Sequence, residues 1–275
     1  MFNSYHQYKP GLELQDYVEC IWIWKSDRDV FSLPQRLIPG GRMELMFNLA
    51  DPMHWMVGND CAQKFNQSAI LMGQRDKIFY VQQKGRAEIA GIRFKPGGLS
   101  AFSKSYAKEF LNLVLPAEFV FGKGINDCLA QIAESDSDVY RVLTLEKFLV
   151  SLFKSESKHW KFINPAVEYI RNTPGQISIA ALCEDQNTYY KKLERSFLEC
   201  VGYTPKSYNR IVRFNQALRL LYKGKKSLTE IGYDCDYFDQ SHFIKDFHLF
   251  TGTSPSQFVK ESNYVAEFLV KNQPV

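Results

Sequence analysis

The spacing of apolar residues along the chain changes period after residue 98. Before it, apolar residues come in short runs rich in β-branched and aromatic side chains: 17–24, 43–49, 69–73, 78–81 and 88–94. Gly, Asp, Pro or Lys bounds these runs, with Pro39-Gly40-Gly41 before the second and Asp51-Pro52 after it. Short strands at this spacing predict a small antiparallel β-barrel or sandwich. Further on, 99–106 reads as a short helix, 111–120 as a connector holding Pro116, and 126–134 and 139–153 as helices. In the last of these Val142, Leu145, Leu149 and Leu152 recur at helical spacing. That stripe packs on the barrel or pairs with its copy in a second chain.

The polar stretch 154–158 predicts a linker. Asn164-Pro165 then predicts a helix start, with Asn as the cap and Pro at the first helical position. It runs to about residue 172 and ends near Pro174-Gly175. From 177 to 258 one pattern occurs twice. Ser178 caps a short helix holding Ala180-Ala181-Leu182-Cys183, and after a polar turn comes a longer helix, Tyr189-Tyr190-Lys191-Lys192-Leu193-Glu194-Arg195-Ser196-Phe197. The second copy is Leu228-Thr229-Glu230-Ile231-Gly232, a polar turn, then Tyr237-Phe238-Asp239-Gln240-Ser241-His242-Phe243-Ile244-Lys245-Asp246-Phe247. Each copy reads as a helix-turn-helix, whose second helix enters the major groove of DNA. Its turn needs a left-handed residue, usually Gly. Asn187 and Asp236 stand there instead. Among residues with a side chain, Asn and Asp visit that conformation most readily. A helix over 205–222, with Ile211, Phe214, Leu218 and Leu221 on one side, joins the copies as a spacer of roughly 25 Å at about 1.5 Å per residue.

The longer helices sort by face. Leu193 and Phe197 point inward in the first, and Phe243, Phe247 and Phe250 in the second. Candidate DNA contacts are Tyr190, Lys191, Glu194 and Arg195 in the first unit. In the second they are Gln240, Ser241, His242, Ile244 and Lys245, with His248 a turn further on. Arg, Lys, Gln and Ser are the side chains that read base edges or hold phosphates. The plain alternative is a solvated charged face. Glu194 either accepts from a cytosine amine or pairs with Lys191 or Lys192. His242 serves packing or a phosphate.

Tyr237 to Phe243 and Phe247, followed by Thr251-Gly252-Thr253-Ser254-Pro255 and Phe258, resembles the signature end of the AraC/XylS family of transcription regulators. The first copy is similar to that family's first helix-turn-helix, and Gly202-Tyr203-Thr204-Pro205 follows it as Gly252 to Pro255 follows the second. The departures are Asp236 for the usual turn Gly and Gly232 for a small residue, often Ala. Both are mild, and the expected direction is a looser second unit. The resemblance implies two recognition helices in successive major grooves on one face of the DNA, about 34 Å apart. In the N-terminal half, Pro39-Gly40-Gly41 with Glu44-Leu45 and Asn48, and Gly91-Ile92-Arg93-Phe94-Lys95-Pro96-Gly97-Gly98, are similar to a β-rich sensor type found on such regulators.

At 275 residues the chain allows two domains. We expect a β-rich effector-sensing or dimerisation domain over 1–153 and a DNA-binding domain over 159–262. The expected class is α+β: an antiparallel barrel or sandwich with appended helices, then two helix-turn-helix units joined by a linker helix. The formal charge of +4 says little. Its distribution says more, because 200–229 holds no Asp or Glu but carries Lys206, Arg210, Arg213, Arg219, Lys223, Lys225 and Lys226. That run favours a phosphate partner. Six Cys without a C-x-x-C pair fit reduced thiols and argue against zinc. Met1 to Gly11 is polar, and no stretch approaches eighteen apolar residues. A cytoplasmic location without a membrane partner is expected.

In the N-terminal half, Arg93 and Lys95 either hold an anionic effector or simply lead the strand into the next turn. Trp22, Trp24 and Trp55 either line an apolar pocket or fill a core. Glu44 and His54 alone are too few for a catalytic metal. No cofactor, metal or catalytic residue is expected, and the chain is read as a transcription regulator rather than an enzyme. Its expected partners are double-stranded DNA, a small-molecule effector, a second copy of itself and, for an activator, RNA polymerase. The alternatives are a cupin-type enzyme domain fused to a DNA-binding module and a ligand-independent regulator whose N-terminal half is only a dimer scaffold.

Overall fold

Strands of the N-terminal half form two antiparallel sheets in a computed structural model that describes residues 3–27, 31–57, 63–66, 68–153, 158–173 and 178–261. The strands are β1 (Asn3–Tyr8), β2 (Val18–Ser26), β3 (Phe31–Leu37), β4 (Glu44–Asn48), β5 (Met53–Val57), β6 (Gln63–Phe65), β7 (Ser68–Met72), β8 (Phe79–Gln83), β9 (Ala87–Phe94) and β10 (Val114–Pro116). One sheet has the order β1-β2-β9-β4-β7-β10 and the other β3-β8-β5-β6. Neither closes on itself among the described residues, so the architecture is an open sandwich rather than a barrel. The predicted runs became β2, β4, β7, β8 and β9. The others were not among the predicted strands, although β5 is itself an apolar run. β1 is largely polar, and β10 is a three-residue edge strand whose Pro116 removes a donor that an edge does not need.

Register explains the two faces. Cys20, Arg93, Glu44, Met72 and Val114 lie side by side across the larger sheet, and Trp22, Gly91, Met46 and Ile70 form the next row. This face meets Leu37, Met53, Trp55, Phe79 and Val81 of the smaller sheet. Gly91 lets the Trp22 indole lie on the sheet, because a β-carbon there would stand 2.2 Å from the ring. The opposite face, including Ile21, Leu45, Phe47, Leu71 and Phe94, is covered by helices.

Residues 98–110 form two 3-10 turns, Gly98–Ala101 and Ala107–Phe110, rather than the expected helix over 99–106. Then come α1 (Glu118–Phe121), α2 (Gly124–Ala133) and α3 (Asp138–Leu152). The Val142, Leu145 and Leu149 stripe of α3 is buried within the chain. Arg141 pins the helix down, donating to the Ile132 carbonyl at 2.9 Å and to Glu88 at 2.6 Å.

The next helix, α4 (Lys158–Asn172), starts six residues before the expected Asn164 cap and carries Pro165 inside it. Burial overrides the local rule here. Trp160 and Ile163 in the first turns are 3% and 0% exposed, and this apolar contact outweighs one lost backbone bond. The linker segment 154–157 and Pro174-Gly175 lie outside the described residues, as does residue 262.

The remaining helices are α5 (Ile179–Asp185), α6 (Tyr190–Cys200), α7 (Pro205–Lys223), α8 (Leu228–Asp234), α9 (Gln240–Thr251) and α10 (Pro255–Lys260). They do not build a separate core. One apolar cluster runs from Leu14, Tyr17 and Phe94 through Trp160 and Ile163 to Phe197, Tyr208 and Phe247. Polar contacts cross the same junction. Asn215 donates to the Pro39 carbonyl at 3.0 Å. Buried Glu19 lies 2.9 Å from Arg42 and 3.8 Å from Arg171 on α4.

Candidate nucleic-acid interface

Each helix-turn-helix is built from local signals. The turn between α5 and α6 is left-handed at Asn187, φ 46°, and that between α8 and α9 at Asp236, φ 56°. These are the two positions expected from sequence. Asp239 caps α9, its side chain accepting from the His242 amide at 2.6 Å. Ser227 and Glu230 form a capping box at the start of α8. The Ser227 amide bonded to Glu230 holds that carboxyl below its usual range. Thr204 caps α7 and Ser254 caps α10, each followed by Pro in the first turn. The Gly-x-x-Pro elements after both units are therefore helix starts.

The inner faces match expectation. Leu193 and Phe197 are buried on α6, and Phe243, Phe247 and Phe250 on α9. The two helices begin at equivalent points, so Tyr190 corresponds to Gln240, Lys191 to Ser241, Glu194 to Ile244 and Arg195 to Lys245. Tyr190, Lys191, Arg195, Gln240, Ser241 and Lys245 are exposed, while Glu194 and Ile244 are half-buried beside them. The structure thus brings eight of the nine predicted contacts onto two matched faces.

Partners differ from expectation in two places. Glu194 accepts from the Tyr190 hydroxyl at 2.8 Å rather than pairing with Lys191 or Lys192. This raises the Tyr190 phenol above its usual range. Lys192 instead lies over the Phe162 ring at 4.6 Å. The ninth predicted contact, His242, corresponds to Lys192 and takes its expected packing role, its ring edge-on to Tyr237 at 5.2 Å while the side chain stays 41% exposed.

Two features escaped the sequence reading. Thr229 on α8 donates to the Gln240 side chain at 3.2 Å, which extends the polar face onto the first helix of the second unit. Asp246, 1% exposed, sits in mid-α9 and takes two bonds from Arg210 at 2.9 and 2.6 Å, with Arg213 at 3.6 Å. This pair raises the Arg210 pKa. Arg213 also stacks over Tyr237 at 4.4 Å. The acid-free run over 200–229 is therefore engaged in part within the fold, while Lys206, Lys223 and Lys225 in it are exposed. Lys226 pairs with Asp234, and Arg219 is partly buried near Arg171 and Glu19.

The candidate effector residues lie elsewhere. Trp22 and Trp24 are buried between the sheets. Arg93 is buried against Glu44 at 2.5 Å, which raises its pKa despite burial. Lys95 is half-buried just past β9. A separate polar cavity of about 170 Å³ lies between the 3-10 turns and α4 and α6, lined by Ser103, Lys104, Tyr106, His159 and Glu199. Among the described residues, no three His, Cys, Asp or Glu side chains gather as a metal site. No described helix is long and apolar enough to cross a membrane.

A helix-turn-helix domain family matches residues 182–261, and a domain of unknown function (DUF6597) matches residues 6–116. No curated protein matches the sequence. Among solved structures the chain is similar to ToxT from Vibrio cholerae at 13% identity and TM-score 0.49, over 94% of this chain and 98% of that one. It is similar to the C-terminal domain of AraT, a response regulator from Geobacillus stearothermophilus, at 22% identity and TM-score 0.36, over 39% of this chain and 93% of that one. The AraC-like transcriptional activator CuxR aligns at 9% identity and TM-score 0.29, over 74% of this chain and 73% of that one.

Proposed function

Residues 182–261 are an AraC-type helix-turn-helix domain, and from that premise we propose a sequence-specific transcription regulator that lays α6 and α9 in successive major grooves. The observation that carries this reading is the matched pair of left-handed turns at Asn187 and Asp236. Each presents the same helix positions to solvent. Arg195 and Lys191 are the base or phosphate contacts of the first unit. Gln240, Ser241 and Lys245 serve the second. At about 1.5 Å per residue, the 19 residues of α7 span about 28 Å. That suits a separation near one DNA turn, about 34 Å, once the offsets of the two units are added.

Control by a small molecule in the N-terminal half is supported by unpaired donors between the sheets. Trp22 Nε1, Trp55 Nε1 and Arg75 Nε and Nη1 are buried without a hydrogen-bond partner among the described residues. Such groups carry a desolvation cost that a ligand acceptor or water would relieve. Arg93, already held by Glu44, is the weaker anion holder. An effector acts here only by binding the DNA-competent and incompetent states differently.

The test is fluorescence-anisotropy titration of the full chain with DNA selected from random sequence, at two salt concentrations. One enriched sequence should bind well above random DNA. Arg195→Ala should weaken it by about 1–3 kcal/mol if the contact is a bidentate base contact. Equal loss on every sequence would assign Arg195 to phosphate. Binding that prefers no sequence and vanishes with salt sinks the regulator reading.

A further inference from the structure

The turns that follow both helix-turn-helix units rest on one loop of the N-terminal half, residues 73–78 between β7 and β8. After the first unit, a β-carbon on Gly202 would stand 3.1 Å from the Gln74 side chain and 3.0 Å from the Ala107 carbonyl oxygen. The next residue, Tyr203, is buried and donates its hydroxyl to the Arg75 carbonyl at 2.5 Å. After the second unit, a β-carbon on Gly252 would stand 2.7 Å from Ile78 Cδ1. Both glycines have positive φ, 89° and 75°. A side chain is thus disfavoured at both by backbone conformation, and at both it would crowd a side chain of this loop.

The loop is braced from behind. Asn112 accepts from the Asp76 and Lys77 amides at 3.1 and 3.3 Å and donates to the Asp76 carboxylate at 2.6 Å. Its own amide donates to the Gln74 carbonyl at 2.7 Å, and the Gly73 amide to the Leu113 carbonyl at 3.0 Å. The Arg75 side chain turns the other way, into the N-terminal half. It reaches the Ile38 carbonyl at 3.2 Å and lies 5.8 Å from the Phe79 ring centre. The neighbouring strand end adds a further hold, with Arg36 on β3 paired to Glu261 just past α10.

The geometry points to loop 73–78 as the positioning element of DNA readout: it grips the turn after each unit and thereby sets the distance and rotation between the two recognition helices. A single helix, α7, fixes how far apart the units are and holds each along one line, at Tyr208 in the first and through Phe214 and the Asp246 cluster in the second, so a second point of support is what resists roll about it. Two grips on one braced loop remove that roll. Spacing specificity for the two half-sites then depends on the N-terminal half, through Arg75, which Tyr203 grips, and Ile78, although none of these side chains faces DNA. The gain is pre-organisation, which reduces the ordering cost on binding. Arg75 places the same loop in contact with the interior of the sandwich. This inference rests on the DNA-binding reading above.

The experiment compares the full-length wild type with the double variant Tyr203→Phe, Ile78→Ala on the selected DNA, with zero, one or two base pairs inserted between the half-sites. Thermal melting first confirms that the variant folds. Wild type should lose on the order of tenfold or more in affinity per inserted pair, and the variant about threefold or less. A second readout needs no DNA. Spin labels on Asp185→Cys and Leu249→Cys, on α5 and α9, should show a narrow distance distribution that broadens in the variant. An unchanged spacing profile together with an unchanged distribution would show that α7 alone sets the geometry, and would overturn the inference. A wild type that selects no sequence defeats the DNA-binding reading instead, and the label distances then decide the grip on their own.

Discussion

The two helix-turn-helix units share a backbone plan yet are anchored differently. At equivalent positions, one residue before Phe197 and Phe247, the first unit has Ser196 and the second Asp246, and both are buried. The first unit is held by apolar packing. Its Phe197 contacts Tyr208 with ring centres 6.1 Å apart, and its α6 joins the core that runs through Trp160 and Ile163 to the sheet. The second unit has fewer ties to the sheet and carries a buried ion cluster, Asp246 with Arg210 and Arg213 of α7. A repeated motif therefore need not repeat its energetics. The unit nearer the N-terminal half packs directly on that half's core, while the outer one is fastened to the spacer by charge as well as by Phe214 against Phe247 and Phe250.

Removing the charge should separate the units most sharply. Asp246→Ala leaves Arg213, whose side chain is 16% exposed, without its carboxylate. Breaking a buried pair costs several kcal/mol. Arg210 is 42% exposed and can recover solvation, so we expect about 3 kcal/mol in urea unfolding. Ser196→Ala should cost below about 1 kcal/mol. Hydrogen exchange should speed in α8 and α9 after the first change and leave α5 unaffected. Equal costs at the two positions would mean the ion cluster is incidental.

The parts of this picture that were legible in the sequence are the local ones. Asn187 and Asp236 could be placed in left-handed turns because that preference belongs to the residue itself. The inward faces of α6 and α9 followed from spacing alone. The anchoring was not legible, because Asp246 and Arg210 are 36 residues apart and nothing near either one signals the other. For the same reason the acid-free run over 200–229 read as one phosphate-facing surface, although Arg210 and Arg213 in it are engaged by Asp246. Pro165 misled in a related way. A helix-start rule that holds locally yields when Trp160 and Ile163, upstream of it, are pulled into a core shared with the sheet. Residues 154–157 of the predicted linker and Pro174-Gly175 fall outside the described residues, and residue 158 already opens α4, so the expected domain limits gain nothing from the structure. The shared core nonetheless implies that a chain starting at residue 159 would bare Trp160, Ile163, Tyr208 and Ile211.

A smaller difference lies in the first helix of each unit, where Cys183 of α5 corresponds to Gly232 of α8. The sequence suggested that Gly232 loosens the second unit. The structure leaves room for a methyl there, since a β-carbon would stand 3.8 Å from the Phe243 β-carbon, an ordinary contact. Glycine inside a helix is less favourable than alanine by about 0.5–1 kcal/mol. Gly232→Ala should therefore raise stability by that amount and narrow the gap between the units. A loss of stability in thermal melting would mean that α8 and α9 need to approach more closely than this packing allows.

The smallest predicted effect is one of pH, and it also divides the units. Ser227 opens α8 with a capping box completed by Glu230. Ser178 opens α5 without a side-chain cap bond, and the residue three further on is Ala181. The Ser227 amide lowers the Glu230 pKa in the folded state from its ordinary value of 4.5. A depressed carboxyl pKa contributes stability that is present above the unfolded value and is lost as pH falls through the folded one. The start of α8 should accordingly hold from neutrality down to about pH 5 and loosen below the ordinary value of 4.5. No matching step should occur in α5. Amide exchange of α8 followed between pH 6 and 3.5 would show the step, and Glu230→Gln should remove it while keeping a side-chain oxygen in place. If the step survives that substitution, another carboxylate is responsible, and the capping box is not what makes the second unit acid-sensitive.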